Sequence, residues 1–220
     1  MPVAPREIRE RLTSAQAVLA STWRETGDSA KFLRNRAALV DTELITFWES
    51  YRFPADYALA AVGGYGRGEL YPGSDVDLLI LLPDKANADA LSRLENFIGE
   101  LWDTGLDIGH SVRTPAECFE EADRDITVKT ALLESRHLAG SPATFHSFAA
   151  PYRASLDPLS FLKAKRLEQA ERYARNPTRH LHWSRIARKV PGGCETCKSS
   201  SGLRGPRTWV TIGRPWLAAV

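Results

Sequence analysis

Cysteine is scarce in this chain: three residues in 220, Cys118, Cys194 and Cys197, unevenly spaced. That is too few for a disulfide framework and fits a reducing compartment. No apolar run approaches the roughly 18 to 20 residues of a membrane span. Met1 to Arg11 lacks the basic-then-apolar profile of a signal peptide, so a cytoplasmic protein with no membrane partner is expected. No internal repeat is visible. Acidic residues are almost missing from Asn176 to Val220, where eight Lys/Arg face one acid, a net of +7. The residues before it hold 21 basic and 26 acidic groups, a net of −5 that the overall +2 conceals. A basic tail on an acidic body is the usual mark of a nucleic-acid arm, a reading set aside below. With 43% hydrophobic residues, the chain can bury the core of one substantial domain, with or without a helical annex.

Apolar residues recur at three- and four-residue steps from Pro5 to Thr26 (Ile8, Leu12, Ala15, Leu19, Trp23) and from Ala30 to Tyr51 (Leu33, Ala37, Val40, Leu44, Phe47, Trp48). Two amphipathic helices are predicted, separated by Gly27-Asp28-Ser29 with Asp28 or Ser29 as N-cap. Lys31, Arg34 and Arg36 read as a solvated polar face rather than a phosphate site. Pro54 ends the second helix. A strand runs from Tyr57 to Val62, a second follows at Leu78 to Leu82, then a helix over Ala86 to Trp102 and a short alternating strand over Leu106 to Arg113. Helices are predicted at Pro115 to Asp123 and Asp125 to Ser135, with Val128, Leu132 and Leu133 inward. The run Asp157 to Arg175 reads as a long charged helix whose apolar side is Leu159, Leu162, Leu167 and Ala170. The strand, helix, strand order predicts an α+β fold with a mixed sheet and flanking helices.

The chain is organised around Tyr57 to Pro83: a strand, the turn Gly63-Gly64-Tyr65-Gly66-Arg67-Gly68, then Ser74-Asp75-Val76-Asp77 entering an apolar strand. A turn with four glycines lets backbone N–H groups approach a phosphate. Alternation puts Asp75 and Asp77 on one strand face, with Cα atoms about 6.6 Å apart, and Val76 in the core. Two such carboxylates beside a phosphate cradle outline a Mg²⁺ site. The dinucleotide fingerprint fails because Glu69 stands at its third glycine position. Walker A fails because Glu69 occupies the place of its lysine. What remains is Gly-Gly, ten residues, and Asp-x-Asp on a buried strand, where two charges cost several kcal/mol unless a cation compensates them.

GGYGRGELYPGSDVDLLIL resembles the catalytic motif of the DNA polymerase β-type nucleotidyltransferases, and within them the bacterial PII uridylyltransferase/uridylyl-removing family. FLRNRAALVD (Phe32 to Asp41), LWDTGLDIGHSVRT (Leu101 to Thr114) and LLESRHLAG (Leu132 to Gly140) extend the resemblance over most of residues 30 to 175. It implies a polymerase β-like sheet with an N-terminal helical pair and a C-terminal long helix. The expected divisions are 1–53 helical, 54–150 catalytic and 151–175 a helical annex. It implies Mg²⁺-dependent transfer of UMP from UTP to a tyrosine of the PII protein. Asp75 and Asp77 would hold the metal, and Gly63, Gly64 and Ser74 the triphosphate, with Arg67 and Arg113 as further phosphate-binding candidates. A third carboxylate is usual in that superfamily. Asp107, on one face with Gly109 and Ser111, is the candidate, with Asp103 or none as alternatives. His110 is open between a core hydrogen bond and catalysis. Two other readings stay open: a remnant that binds nucleotide without transfer, and the same fold with another nucleotide or acceptor.

Cys194-x-x-Cys197 has the spacing of half a zinc site, but no second ligand pair follows, so no zinc is expected. The genetic code gives the tail a more specific account. Taking the last base of each codon with the first two of the next across His182 to Ser199, the permitted readings include LEPNxKExPGGLRDLQ. That string resembles what the family carries after its long helix. A shift of reading frame near Arg175 to Thr178 is therefore expected, leaving 176–220 disordered and no nucleic acid as partner. The family's HD phosphohydrolase and ACT domains are expected to be absent, and deuridylylation and glutamine sensing with them. Resequencing that found an uninterrupted frame would refute the shift.

Overall fold

The computed structural model describes residues 3–175; the tail, with Cys194 and Cys197, lies outside the described residues. Two 22-residue helices open the chain, α1 (Pro5–Thr26) and α2 (Ser29–Ser50). Proline at the first helical turn needs no N–H partner. Gly27 then takes a left-handed conformation (φ 68°) and donates its N–H to the Trp23 carbonyl, which ends α1. Asp28 caps α2 by accepting from the Lys31 N–H at 2.9 Å. The two helices are joined midway by Arg11, which donates from Nη2 to the buried Glu43 at 2.6 Å.

Four strands follow: β1 (Ala58–Ala61), β2 (Val76–Leu81), β3 (Ile108–Arg113) and β4 (Arg136–Gly140), in the order β3-β2-β1-β4. β1 is antiparallel to β2 and β4, whereas β2 and β3 are parallel and joined by the crossover helix α4 (Ala88–Asp103). The one-turn helix α3 (Gly63–Gly66) lies between β1 and β2. The chain continues with α5 (Pro115–Arg124), α6 (Ile126–Leu133), α7 (Pro142–Ala154) and α8 (Pro158–Arg175). The mixed α+β sheet predicted above is therefore present.

Alternation along the central strands splits the core in two. Leu59, Ala61, Val76, Leu78 and Ile80 face α1, α2 and α4. Ala58, Ala60, Leu79 and Leu81 face α5, α6 and α7. Both faces of β2 are covered, which is why its sequence is almost continuously apolar. Asp77 shares the parity of Leu79 and Leu81, so it lies on the α5–α7 side. Phe97 of α4 sits at the centre of an aromatic group, 5.1 to 5.6 Å from the rings of Phe47, Trp48, Tyr51 and Phe53. Phe97→Ala should lower stability by about 3 to 5 kcal/mol, read from the urea denaturation midpoint.

Several expectations change. Val62 is not strand but the N-cap of α3, because the glycines wind one helical turn rather than an open loop. β4 and α7 were not foreseen. β4 is five residues with a register shift opposite Leu59 and Ala60, too short and irregular for a clear period. Residue 150 falls inside α7, whose Phe148, Ala149 and Tyr152 belong to the second core cluster. The apolar side of α8 is not buried: Leu159, Leu162 and Leu167 are 68%, 49% and 63% exposed. Arg36 departs from a solvated face, with its Nε buried and unpartnered and its pKa lowered by burial. No described helix is long and apolar enough to cross a membrane.

Candidate active site

The organising stretch forms one end of the sheet. β1 runs into α3, and β2 and β3 start side by side, with the Val76 N–H donating to the Asp107 carbonyl at 2.7 Å. Register pairs Asp77 with Gly109. Asp75 stands just before β2 and is exposed, whereas Asp77, inside β2, is half-buried. The pair is therefore asymmetric, and less buried than two acids on one strand would be. Burial, and then the negative charge of Asp75, raise the Asp77 pKa.

Two glycines make room for the Asp77 carboxylate. A Cβ on Gly109 would overlap its Oδ1, and a Cβ on Gly63 would sit 3.5 Å from its Oδ2. Gly63 also has φ +60°, a conformation that L side chains rarely adopt. The carboxylate is thus held between α3 and β3. Ser74 immediately precedes Asp75, and its Oγ donates to the Tyr71 carbonyl at 2.9 Å, which fixes the loop into β2.

Other candidates fall at different places. Arg67 is exposed at the end of α3, and its Nη1 donates to Glu134 at 2.5 Å. Asp107 is exposed beside Asp75 at the start of β3. Among the described residues no three His, Cys, Asp or Glu side chains are gathered into one cluster. Arg113 is not brought to that pair. It is the register partner of Leu81, four residues along β3 from Gly109 or roughly 13 Å, and lies 4.0 Å from Glu121. His110 is exposed, with its ring 6.0 Å from that of Trp102.

Gly109, Glu134 and Gly66 were not anticipated as part of the site. Gly66 packs on the turn before β4: a Cβ there would overlap the Glu134 carbonyl oxygen and lie 2.9 Å from its carbon. Backbone meets backbone, so neither side can yield. Gly66→Ala should cost about 3 kcal/mol or more, seen as a lowered thermal midpoint.

This arrangement, a glycine turn feeding paired aspartates on a sheet end, coincides with a family match. Residues 43–133 match the family model described as Nucleotidyltransferase domain, from the middle of α2 to the end of α6. This stretch is similar to the nucleotidyltransferase domain family. Around it, the chain is similar to curated bacterial proteins named bifunctional uridylyltransferase/uridylyl-removing enzyme. It is 46% identical over 187 residues to that of Aromatoleum aromaticum, covering 85% of this chain and 22% of the relative. To that of Burkholderia orbicola it is 43% identical over 185 residues, 84% and 22%. To that of Chromobacterium violaceum it is 45% identical over 168 residues, 76% and 20%. The chain spans about a fifth of the length of these relatives. The matched stretch contains Gly63, Gly64, Asp75, Asp77 and Gly109 together, whereas Asp41 and Arg136 flank it.

Proposed function

We propose that this nucleotidyltransferase domain transfers UMP from UTP to a protein tyrosine, the acceptor being a PII-type signalling protein. The observation that carries the reading is the Asp77 carboxylate, half-buried between Gly63 and Gly109 and next to a second carboxylate. A negative pair in that position is uncompensated by any ion pair among the described residues, and burial together with Asp75 already opposes its charge. Mg²⁺ is characteristically held by one or two carboxylates, with substrate phosphates and waters completing its shell. Two neighbouring carboxylates are the donor type that cation takes. Asp75 and Asp77 would hold it, and when bound it lowers the acceptor hydroxyl's pKa and neutralises charge on the departing pyrophosphate.

The remaining work falls to the protein. The first N–H groups of α3, at Gly63 and Gly64, receive no bond from within a helix, and the missing side chains let phosphate oxygens approach them. Arg67, exposed at the other end of α3, is ion-paired with Glu134 and 4.0 Å from Glu69, so it places guanidinium donors at the rim with their charge already offset. The tyrosine oxygen attacks the α-phosphorus in line with the bond to the bridging oxygen. That bond breaks, pyrophosphate leaves, and the phenolic proton passes to solvent or to a carboxylate of the pair. The names of the relatives favour a uridylyl group over other nucleotides. Competition among UTP, ATP and CTP for the Mg²⁺-loaded chain tests this: UTP should bind most tightly, and equal or stronger ATP binding would overturn the choice of base.

A further inference from the structure

Behind α3, on the side away from Asp77's neighbours, three distant segments meet on one guanidinium. Arg136, the first residue of β4, donates from Nη1 to Asp41 Oδ2 at 2.8 Å and from Nη2 to Asp41 Oδ1 at 3.1 Å. The same group donates from Nε to the Gly66 carbonyl and from Nη2 to the Tyr65 carbonyl, both at 3.3 Å. The Tyr65 hydroxyl completes the circuit by donating to Asp41 Oδ1 at 2.5 Å, and Arg136 lies 5.6 Å over the Tyr65 ring. Tyr65 is 1% exposed, and the Asp41 side chain 19%. Burial first, and then the Asp41 charge and hydrogen bond, push the Tyr65 pKa up, so the hydroxyl remains a donor. Burial works against the Arg136 charge, but the hydrogen bond to Asp41 and its charge outweigh it and raise that pKa.

A four-residue helix has no stability of its own, since nucleation fixes several dihedrals for one hydrogen bond. α3 leaves the Gly66 carbonyl without a helical partner; Arg136 fills it and adds a second donor to the Tyr65 carbonyl, which also accepts from the Gly68 N–H at 3.0 Å. The fork geometry matters, because a lysine's three N–H donors all leave one nitrogen on a flexible stem, whereas the bonds to the carboxylate and the two carbonyls here leave three nitrogens held in one plane. With its carbonyl side tied to α2 and β4, the turn keeps its amide side in one orientation relative to Asp77, which hydrogen-bonds back through the Val62 N–H to the Asp77 carbonyl at 3.0 Å.

We propose that Asp41 and Arg136, bridged by Tyr65, are positioning residues for the reaction: they lock the glycine turn so that it and Asp77 meet the nucleotide's phosphates in one fixed geometry. This rests on the nucleotidyltransferase reading above, and the test separates the two. Arg136→Lys, Asp41→Asn and Tyr65→Phe are compared with Glu43→Gln, which loosens the α1–α2 ion pair on a different face of α2 from Asp41. Deuterium exchange of the segment 62–68 reports on the lock without any nucleotide, and steady-state kinetics report on its use. Arg136→Lys and Asp41→Asn should speed exchange in that segment and raise the KM for UTP about tenfold or more, with the KM for the protein acceptor unchanged. Tyr65→Phe should act in the same direction and less. Glu43→Gln should lower the thermal midpoint and leave exchange at 62–68 and the UTP KM as in the parent chain. Guanidinium ion at millimolar concentration should restore part of the UTP affinity to Arg136→Ala and none to Asp41→Asn. Unchanged exchange at 62–68 in Arg136→Lys, or faster exchange with an unchanged UTP KM, would overturn the inference. A parent chain that binds no nucleoside triphosphate would overturn the functional reading beneath it, whatever the exchange shows.

Discussion

Asp77→Asn should abolish the proposed nucleotidyl transfer while leaving the metal-free chain as stable as the parent or more so. Losing one of the two carboxylates proposed to hold the cation should remove several kcal/mol of transition-state stabilisation, so the rate should fall by about a thousandfold or more. Stability moves the other way because Asp77 is charged where burial and Asp75 oppose its charge. Its pKa is raised in the folded chain, so the native state binds the proton more tightly than the unfolded state. That contribution to stability is complete at low pH and is lost as pH rises from the ordinary carboxylate range through the raised value. Asparagine removes this loss. Thermal midpoints of parent and variant from pH 3 to 8, without metal, should therefore separate in the variant's favour as pH rises. Asp75→Asn should also stop transfer, with a smaller gain in stability, since Asp75 is exposed and supplies only the lesser cause of the Asp77 shift. A residue kept at a cost to the fold and needed for the chemistry is the pattern of a functional site.

The second large effect comes from a residue with no reactive group. Gly109→Ala places a methyl where Asp77 Oδ1 now lies. The obstructing atom is the end of a side chain, unlike the backbone carbonyl that confronts Gly66, so the fold can give way by turning the carboxylate. A displacement of about 1 Å in a reacting group costs roughly a hundredfold in rate. The expected result is a fall in kcat of about that size with a thermal midpoint close to the parent's, against Gly66→Ala, which should lose stability first. If Gly109→Ala kept full activity, the carboxylate would not need its place against β3.

The two long N-terminal helices were legible because their apolar residues keep a helical period over five turns and Gly27-Asp28 punctuates them. β2 was legible for the same kind of reason, a run of apolar residues long enough to span a sheet buried on both faces. Asp75 and Asp77 could be picked out from local sequence because two acids entering such a run have no packing explanation. β4 was hidden because Arg136-His137-Leu138-Ala139-Gly140 is half polar and follows a helical pattern without a break. Its arginine serves a carboxylate 95 residues earlier, a partnership that no local period can express. Gly109 was hidden in another way: its lack of a side chain matters only through the β2–β3 register, which pairs it with Asp77. Arg113 came from the resemblance alone, and local sequence could not express its place opposite Leu81, along the strand from the acids. The exposure of Leu159, Leu162 and Leu167 on α8 shows that helical period alone marks an apolar side without saying that anything covers it.

The central claim is that the glycine turn and the aspartate pair make a working site for nucleotidyl transfer. Its most direct measurement is the passage of label from UTP carrying radioactive α-phosphate to a purified PII protein in the presence of Mg²⁺, followed on a denaturing gel. The expected result is a labelled acceptor band that needs Mg²⁺, is competed by unlabelled UTP, and vanishes in Asp75→Asn and Asp77→Asn. Label transfer that persists in both variants, or a parent chain that binds UTP and never labels the acceptor, would contradict it.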